Sequence, residues 1–504
     1  MTNGWAGGYV TDINYDPGYY REQSPTQLRL ACLLAGVAWD VAEEGAHYLE
    51  LGCGLGLGAL IVAASNPSWR ITALDFNPAH IAAARALARE AGVENATFLE
   101  ADLSDFAESS AGAALPEADI VTAHGVWSWV SPEVRAGIIR LLAAKLRAGG
   151  VAHLSYNALP GWQGMLSVQR LVREAGQRLV GRSDRQAEAG IGVLRDLAAA
   201  EAPTLRNDAR LSTWISEMGA YSGAYLAHEF MNAHWSPCWH ADVAASLAGA
   251  RLDWVGAATL IENFAELAMT GPQRAIYERF EDPTMRELVK DMCLARTLRH
   301  DVYVRGARRV SAAARDAGLR DLTLGLAVPE DRVALEVQVA AGKAELSPEF
   351  YRPVVQMLAR GPARVAELLR APGAVATREN PAELAGLLVG TRQAVVMARP
   401  GAQPGEAALR LNAVMAHRLA VTENLNRSAA LASVAAGGGL PCSTAELFVA
   451  GRALTGEAGG DIAGWTASLA GGLDDENTRR VAEALHRARS QMLPLQRQLG
   501  CLPG

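Results

Sequence analysis

Cysteine is scarce and unclustered in this chain: six residues among 504, at positions 32, 53, 238, 293, 442 and 501, with no Cys-x-x-Cys pair. That excludes a disulfide framework or a thiolate zinc site and suits a reducing compartment. Positive charge is not in excess either. The 47 Lys and Arg are outnumbered by 54 Asp and Glu, a net charge of −7, so nothing draws the chain generally to nucleic acid or to an anionic membrane. No apolar run approaches the roughly 20 residues that span a bilayer. No basic-plus-apolar leader opens the sequence. A soluble, cytoplasmic protein is expected. There is also no internal repeat of fixed period. What is abundant is apolar surface: half of the residues are hydrophobic, enough for a sizeable core, and the length suits about three domains.

The most informative stretch is His47-Tyr-Leu-Glu-Leu-Gly-Cys-Gly-Leu-Gly56. Tyr48 to Leu51 read as a buried strand, Gly52, Gly54 and Gly56 as a tight turn, and Leu57 to Ala64 as a helix. Glycine suits that turn because a Cβ would hold the backbone away from a bound cofactor. The single-residue gaps differ from the Gly-x-Gly-x-x-Gly of dinucleotide sites, and the preceding Glu50 would repel a pyrophosphate. A carboxylate there suits a cation. Further strands are expected over Trp69–Asp75, Ala96–Leu103, Ala118–Gly125 and Gly150–Asn157, alternating with apolar helices. Such alternation predicts an α/β fold with a parallel, doubly wound sheet and a site at the carboxyl ends of its strands.

This pattern resembles motif I and the following acidic strand ends of class I S-adenosylmethionine (SAM) methyltransferases, a Rossmann-like fold. The resemblance implies SAM as cofactor, held by Glu50, Gly52, Gly54, Gly56, Asp75, Asp102 and Leu103. In this reading Glu50 and the glycine loop accommodate the amino-acid end, Asp75 the ribose hydroxyls, and Asp102 the adenine amino group. Two further segments, His124-Gly-Val-Trp-Ser-Trp-Val130 and Ser155-Tyr-Asn-Ala-Leu-Pro-Gly-Trp162, look like methyltransferases that carry a regulatory domain, a family that includes bacterial protein lysine methyltransferases. The similarity continues through His228-Glu-Phe-Met-Asn-Ala-His-Trp235 and Leu252 to Asn263. It covers about the first 290 residues well.

Four regions are expected: a SAM-binding methyltransferase domain over 1–165, a helical regulatory domain over 166–295, a winged-helix-like module over 296–400, and a helical C-terminal region over 401–504. Leu252 to Gly256 is strand-like and reads as a return towards the first domain.

Methyl transfer is an in-line displacement at a sulfonium carbon, for which a protein supplies orientation, exclusion of water and a nucleophile with a free lone pair. Aromatic walls serve that end, and cation–π contact contributes up to about 2 kcal/mol when desolvated. The expected catalytic residues are His124, Trp127 and Tyr156, with Tyr15, Trp129, Asn157 and Trp162 on the substrate. Trp127 and Tyr156 are the expected pocket walls, and His124 serves either as a base or as a ring satisfied beside the cofactor. Asn14 is a further hydrogen-bonding candidate. The set His228, Glu229, His234, Cys238 and His240 does not complete His-Glu-x-x-His, so no metal is expected. Arg305-Gly-Ala-Arg-Arg309 supplies too few phosphate contacts for DNA.

The function expected is SAM-dependent methylation of a side-chain nitrogen in a protein or peptide, with the lysine-methylating branch nearest by resemblance. Three alternatives stand beside it: iterative asparagine-amide methylation of a ribosomally made precursor peptide, small-molecule O- or N-methylation, and a SAM-binding regulator without catalysis. A homodimer is left open.

Overall fold

Strand β1 (His47–Leu51) is buried along its whole length, as an almost continuous apolar run requires when both faces of a parallel sheet are covered. Its side chains alternate between faces: Tyr48 joins one core cluster with Ile61 and Ile120, while Leu49 and Leu51 join the other with Val121 and Leu154. These positions come from a computed structural model, which describes residues 7–13, 18–374, 378–420, 429–471 and 474–504.

The main sheet has seven strands in the order β3-β2-β1-β4-β5-β7-β6. Strands β2 (Arg70–Asp75), β3 (Ala96–Glu100), β4 (Ala118–Ala123) and β5 (Leu146–Asn157) run parallel to β1. The helix Leu57–Ser65 follows β1, and Pro78–Ala91 follows β2. The latter starts where the Asn77 side chain accepts a bond from the Ala79 amide and ends where Gly92 takes φ 64°.

Two more strands come from further along the chain. Strand β7 (Leu298–Arg305) pairs antiparallel with β5, and β6 (Leu252–Ala257) pairs antiparallel with β7. The expected return of Leu252 to Gly256 therefore takes place through β7. The sheet also runs past residue 296, the expected start of the third region. The helices between, Met165–Gly176, Ser183–Ala199 and Gly223–Phe230, pack beside the ends of the parallel strands around a core of their own, with Val168, Val172 and Ile191.

Beyond β7 lies a three-stranded antiparallel sheet, β11-β8-β12, made by β8 (Thr323–Leu326), β11 (Ala363–Arg364) and β12 (Ala394–Met397). A hairpin, β9 (Glu336–Val339) with β10 (Gly342–Glu345), and the helices Pro348–Arg360 and Pro381–Gly390 surround it. The C-terminal region is largely helical, with one departure. Ala429–Ser433 (β13) and Gly438–Cys442 (β14) form an antiparallel hairpin against the helix Leu57–Ser65. Alanine-rich sequence reads as helix. Here its small side chains instead let two strands lie close to the sheet's own helix, and a Cβ on Gly439 would stand 2.7 Å from the Tyr19 ring and 2.8 Å from Ile61.

Candidate active site

At the carboxyl ends of the parallel strands is a cavity of about 700 Å³. Glu50, next to the last residue of β1, lies within it. Its carboxylate is buried, and Oε2 has no hydrogen-bond partner. Burial pushes this group up to about 8, the Asp75 charge adds to the rise, and a bond from the Ala59 amide opposes it. The glycine loop follows with positive φ at Gly52, Gly54 and Gly56. A Cβ on Gly52 would stand 2.4 Å from Val126, and one on Gly56 2.6 Å from Ala84, so both positions are closed to larger residues. Gly54 faces open space, and its N–H donates to Asp75 Oδ2 at 2.8 Å.

Asp75 thus shapes the loop as well as lining the cavity. Its other oxygen accepts from the Asn77 amide at 2.9 Å and lies 3.2 Å from His80 Nδ1. Asp102 and Leu103 form the wall after β3, where the exposed Asp102 also accepts from the Ser104 amide at 2.8 Å.

The structure sorts the expected aromatic residues. Trp129 and Trp162 line the cavity and meet through Trp235, at ring-centroid distances of 6.2 and 5.5 Å. Asn157 lines it too, its N–H donating to Ser128 Oγ. Trp127, expected as a pocket wall, does not line it. That ring is 2 % exposed within the core under β4 and β5, and Arg135 lies 5.7 Å from its centroid. The turn Trp127–Trp129 directs residues two apart to different sides, so only one of the two tryptophans reaches the cavity. Tyr156 touches the cavity, but its hydroxyl donates to Asp301 Oδ2 at 2.5 Å, inside a buried polar network. Tyr15 and Asn14 lie outside the described residues.

His124 follows β4 with its Nδ1 3.1 Å from Ser155 Oγ and its ring stacked on Tyr20 at 3.7 Å. Burial, then the neighbouring His300 and His153, hold it well below the usual histidine range, so it is neutral at pH 7. His228 Nε2 meets the Ile13 carbonyl at 2.9 Å, and His240 Nδ1 lies 2.9 Å from Asp301, so these two rings serve separate contacts.

Several lining residues escape a reading of the sequence: Tyr9, Phe76, Tyr225 and, above all, Glu229 as an acid of this cavity. Glu229 sits on the helix Gly223–Phe230. Burial pushes its carboxyl up to about 7, and among the described residues no cation or donor is paired with it. In sequence, His228-Glu-Phe-Met-Asn reads only as an incomplete metal motif. The signal that could reveal Glu229 is an acid on a helix otherwise apolar enough to be buried. Among the described lining residues five are carboxylates, Glu50, Asp75, Asp102, Glu133 and Glu229, and none is Lys or Arg.

Residues 49–152 match the model of a methyltransferase domain, and residues 222–305 that of a "predicted methyltransferase regulatory domain". An uncharacterized protein of Synechocystis is 31% identical over 364 residues, 72% of this chain and 71% of the relative. The chain belongs to the methyltransferases that carry a regulatory domain. A carboxy-S-adenosyl-L-methionine synthase of Dichelobacter nodosus is 26% identical over 159 residues, 30% of this chain and 64% of that one. The fold of the methyltransferase is shared with PKMT2 from Rickettsia typhi, solved in complex with AdoHcy, at TM-score 0.70 and 16% identity over 97% of this chain and 99% of that one.

The methyltransferase is a SAM-dependent enzyme, and the cavity suits that cofactor. A buried carboxylate oxygen without a partner at the end of β1 matches an ammonium group. The open face of Gly54 admits close approach of a ligand to the backbone. The part of the chain matched by the regulatory-domain model adds Tyr225, His228, Glu229, Asn232 and His234 to the same cavity.

Proposed function

We propose that this enzyme methylates a side-chain nitrogen of a protein or peptide, and that the nitrogen arrives as an amine. The observation that carries this reading is the charge of the cavity: five carboxylates and no Lys or Arg among its described lining residues. Glu50, Asp75 and Asp102 stand at or just beyond strand ends and are assigned to SAM, with Gly52, Gly54, Gly56 and Leu103. Glu133 and Glu229 are left over, of which Glu133 is exposed to solvent and Glu229 is the half-buried one. Without a cation beside it, this half-buried carboxylate is costly to keep charged and takes up a proton near neutral pH. An ammonium group answers that need, whereas an amide or hydroxyl acceptor does not.

Bound in this cavity, SAM supplies an electrophilic methyl group on a sulfonium. The chain's own residues do the rest. Tyr9, Tyr20 and Tyr225 exclude water and present ring faces to cations. Glu229 draws in the ammonium and, with its carboxyl at about 7, takes up the proton that the nitrogen must lose before it attacks. Neutral His124 acts as a wall and hydrogen-bonding ring. Trp129, Trp162 and Asn157 are assigned to the acceptor side. The likeness in fold to the protein lysine methyltransferase PKMT2 supports a lysine acceptor. Six unpaired cysteines suit a cytoplasmic setting.

Glu229→Gln tests this directly. The variant is expected to bind SAM as the parent does, and to lose turnover on an amine acceptor by about a hundredfold, the usual scale of a lost acid–base group. Unchanged turnover would remove Glu229, and with it the argument for an amine.

A further inference from the structure

A second cavity, of about 620 Å³, lies on the other side of the turn Tyr20–Ser24, and Tyr20 lines both. Its charge is reversed. Arg21, Arg332, Arg392 and Arg487 line it, against Glu22 and Glu446. Glu22 is occupied by Arg21 at 3.5 Å and by Arg392 at 3.9 Å. Among the described residues, Arg332 and Arg487 make no ion pair within 4 Å, though the Arg487 charge acts on Glu446, and both arginines are exposed. Arg21 is held by the Val389 and Gly390 carbonyls, but its buried Nε makes no hydrogen bond. Between the arginines the lining is apolar, with Tyr19, Val396, Leu440 and Met492.

This is a local reversal in a chain of net charge −7, and it brings together three parts that the methyl-transfer cavity leaves without a task. They are the module around β8 and β12, the β13–β14 hairpin and the C-terminal helices. Arginine forks pair with carboxylates in bidentate fashion. A small anion would leave the apolar lining uncovered, and a nucleic acid would need a longer run of phosphate contacts. A peptide that alternates acidic and apolar side chains satisfies both features.

We propose that the second cavity docks an acidic segment of the polypeptide whose nitrogen is methylated on the other side of Tyr20. Its carboxylates lie on Arg332, Arg392 and Arg487 and its apolar side chains on the lining between them. This rests on the reading of the acceptor as a polypeptide.

The probe is a fluorescein-labelled peptide of alternating Glu and Leu, titrated with the full chain and read by anisotropy. Saturable binding is expected, weakened by about tenfold or more in the double variant R332E/R487E, the scale of reversing two exposed charges. SAM affinity and melting temperature should be those of the parent, and a peptide with Lys in place of Glu should not bind. Equal affinity for parent and variant overturns the proposal. So does inorganic phosphate that competes as well as the unlabelled peptide, which would mark a small-anion site. Binding is read without methyl transfer. A methyl found on something other than polypeptide nitrogen would therefore defeat the functional reading, while the anisotropy result would still decide for or against docking.

Discussion

Glu50 carries opposite consequences for stability and for binding. Its folded pKa of about 8 lies above the ordinary value of 4.5, so between those values the folded state holds a proton that the unfolded chain releases. Stability without cofactor therefore falls as pH rises through that window. Glu50→Gln is expected to raise stability at pH 8 by a few kcal/mol, since each pH unit crossed between the two values costs the parent about 1.4 kcal/mol, and to change nothing below about pH 4.5. The sign reverses for cofactor. A cation needs the carboxylate, so SAM affinity in the parent should tighten as pH approaches about 8 and level off above it. In Glu50→Gln the affinity should be weak and flat with pH. Calorimetric titration across that range checks both halves. The two tryptophans separate in the same way. Trp127→Ala empties a core position and should cost about 3–5 kcal/mol in a urea titration. Trp129→Ala should leave the midpoint near that of the parent and raise KM for the acceptor.

The element that ties the regulatory part to the catalytic sheet is β7. Arg299 on this strand is 1 % exposed and pairs with Asp291, Glu287 and Asp301, while Arg296 pairs with Asp291, Glu287 and Glu262. Burial alone would raise Glu287, but Lys290, Arg299 and Arg296 outweigh it and hold this carboxyl at about 2. Asp301 behaves alike: Arg299 and His240 overcome its burial and hold it well below the usual range. Removing one partner from such a set leaves bare charge in the core. Arg299→Met is expected to cost about 3–5 kcal/mol in thermal or urea unfolding, whereas an exposed pair such as Arg480 with Glu476 is worth less than about 1 kcal/mol. Equal effects at the two positions would deny the network its role in joining β7 to the helix Pro283–Leu294. Tyr156 donates into this network through Asp301, which explains why an aromatic residue at the edge of the cavity has its hydroxyl turned to structure.

At the scale of the whole molecule, the placement of the strand-end acids and the glycine loop around one cavity was legible because its signals are local. Glu50, the glycine loop, Asp75 and Asp102 are fixed by strand ends and by backbone geometry within a few residues, and those are constraints that a sequence prints. The rest of the cavity wall, which we propose receives the acceptor, is assembled from distant segments. Tyr9 and Tyr20, Tyr225 and Glu229, and Trp129 and Trp162 come from separate segments of the chain, and nothing in the spacing of any one segment says that they meet. The choice between Trp127 and Trp129 depends on which side of one turn faces the cavity, and the β13–β14 hairpin depends on packing against Leu57–Ser65 rather than on propensity.

The central claim is that a cavity lined by carboxylates transfers methyl groups to amine nitrogen on a polypeptide. Its most direct test is fragmentation mass spectrometry after incubating the full chain and isotope-labelled SAM with matched peptides. These would present Lys, Asn, Ser or Glu in one acidic context. Label on the lysine Nζ, lost in Glu229→Gln, is the expected result. Label on the asparagine amide or on a side-chain oxygen, with lysine untouched, would contradict it.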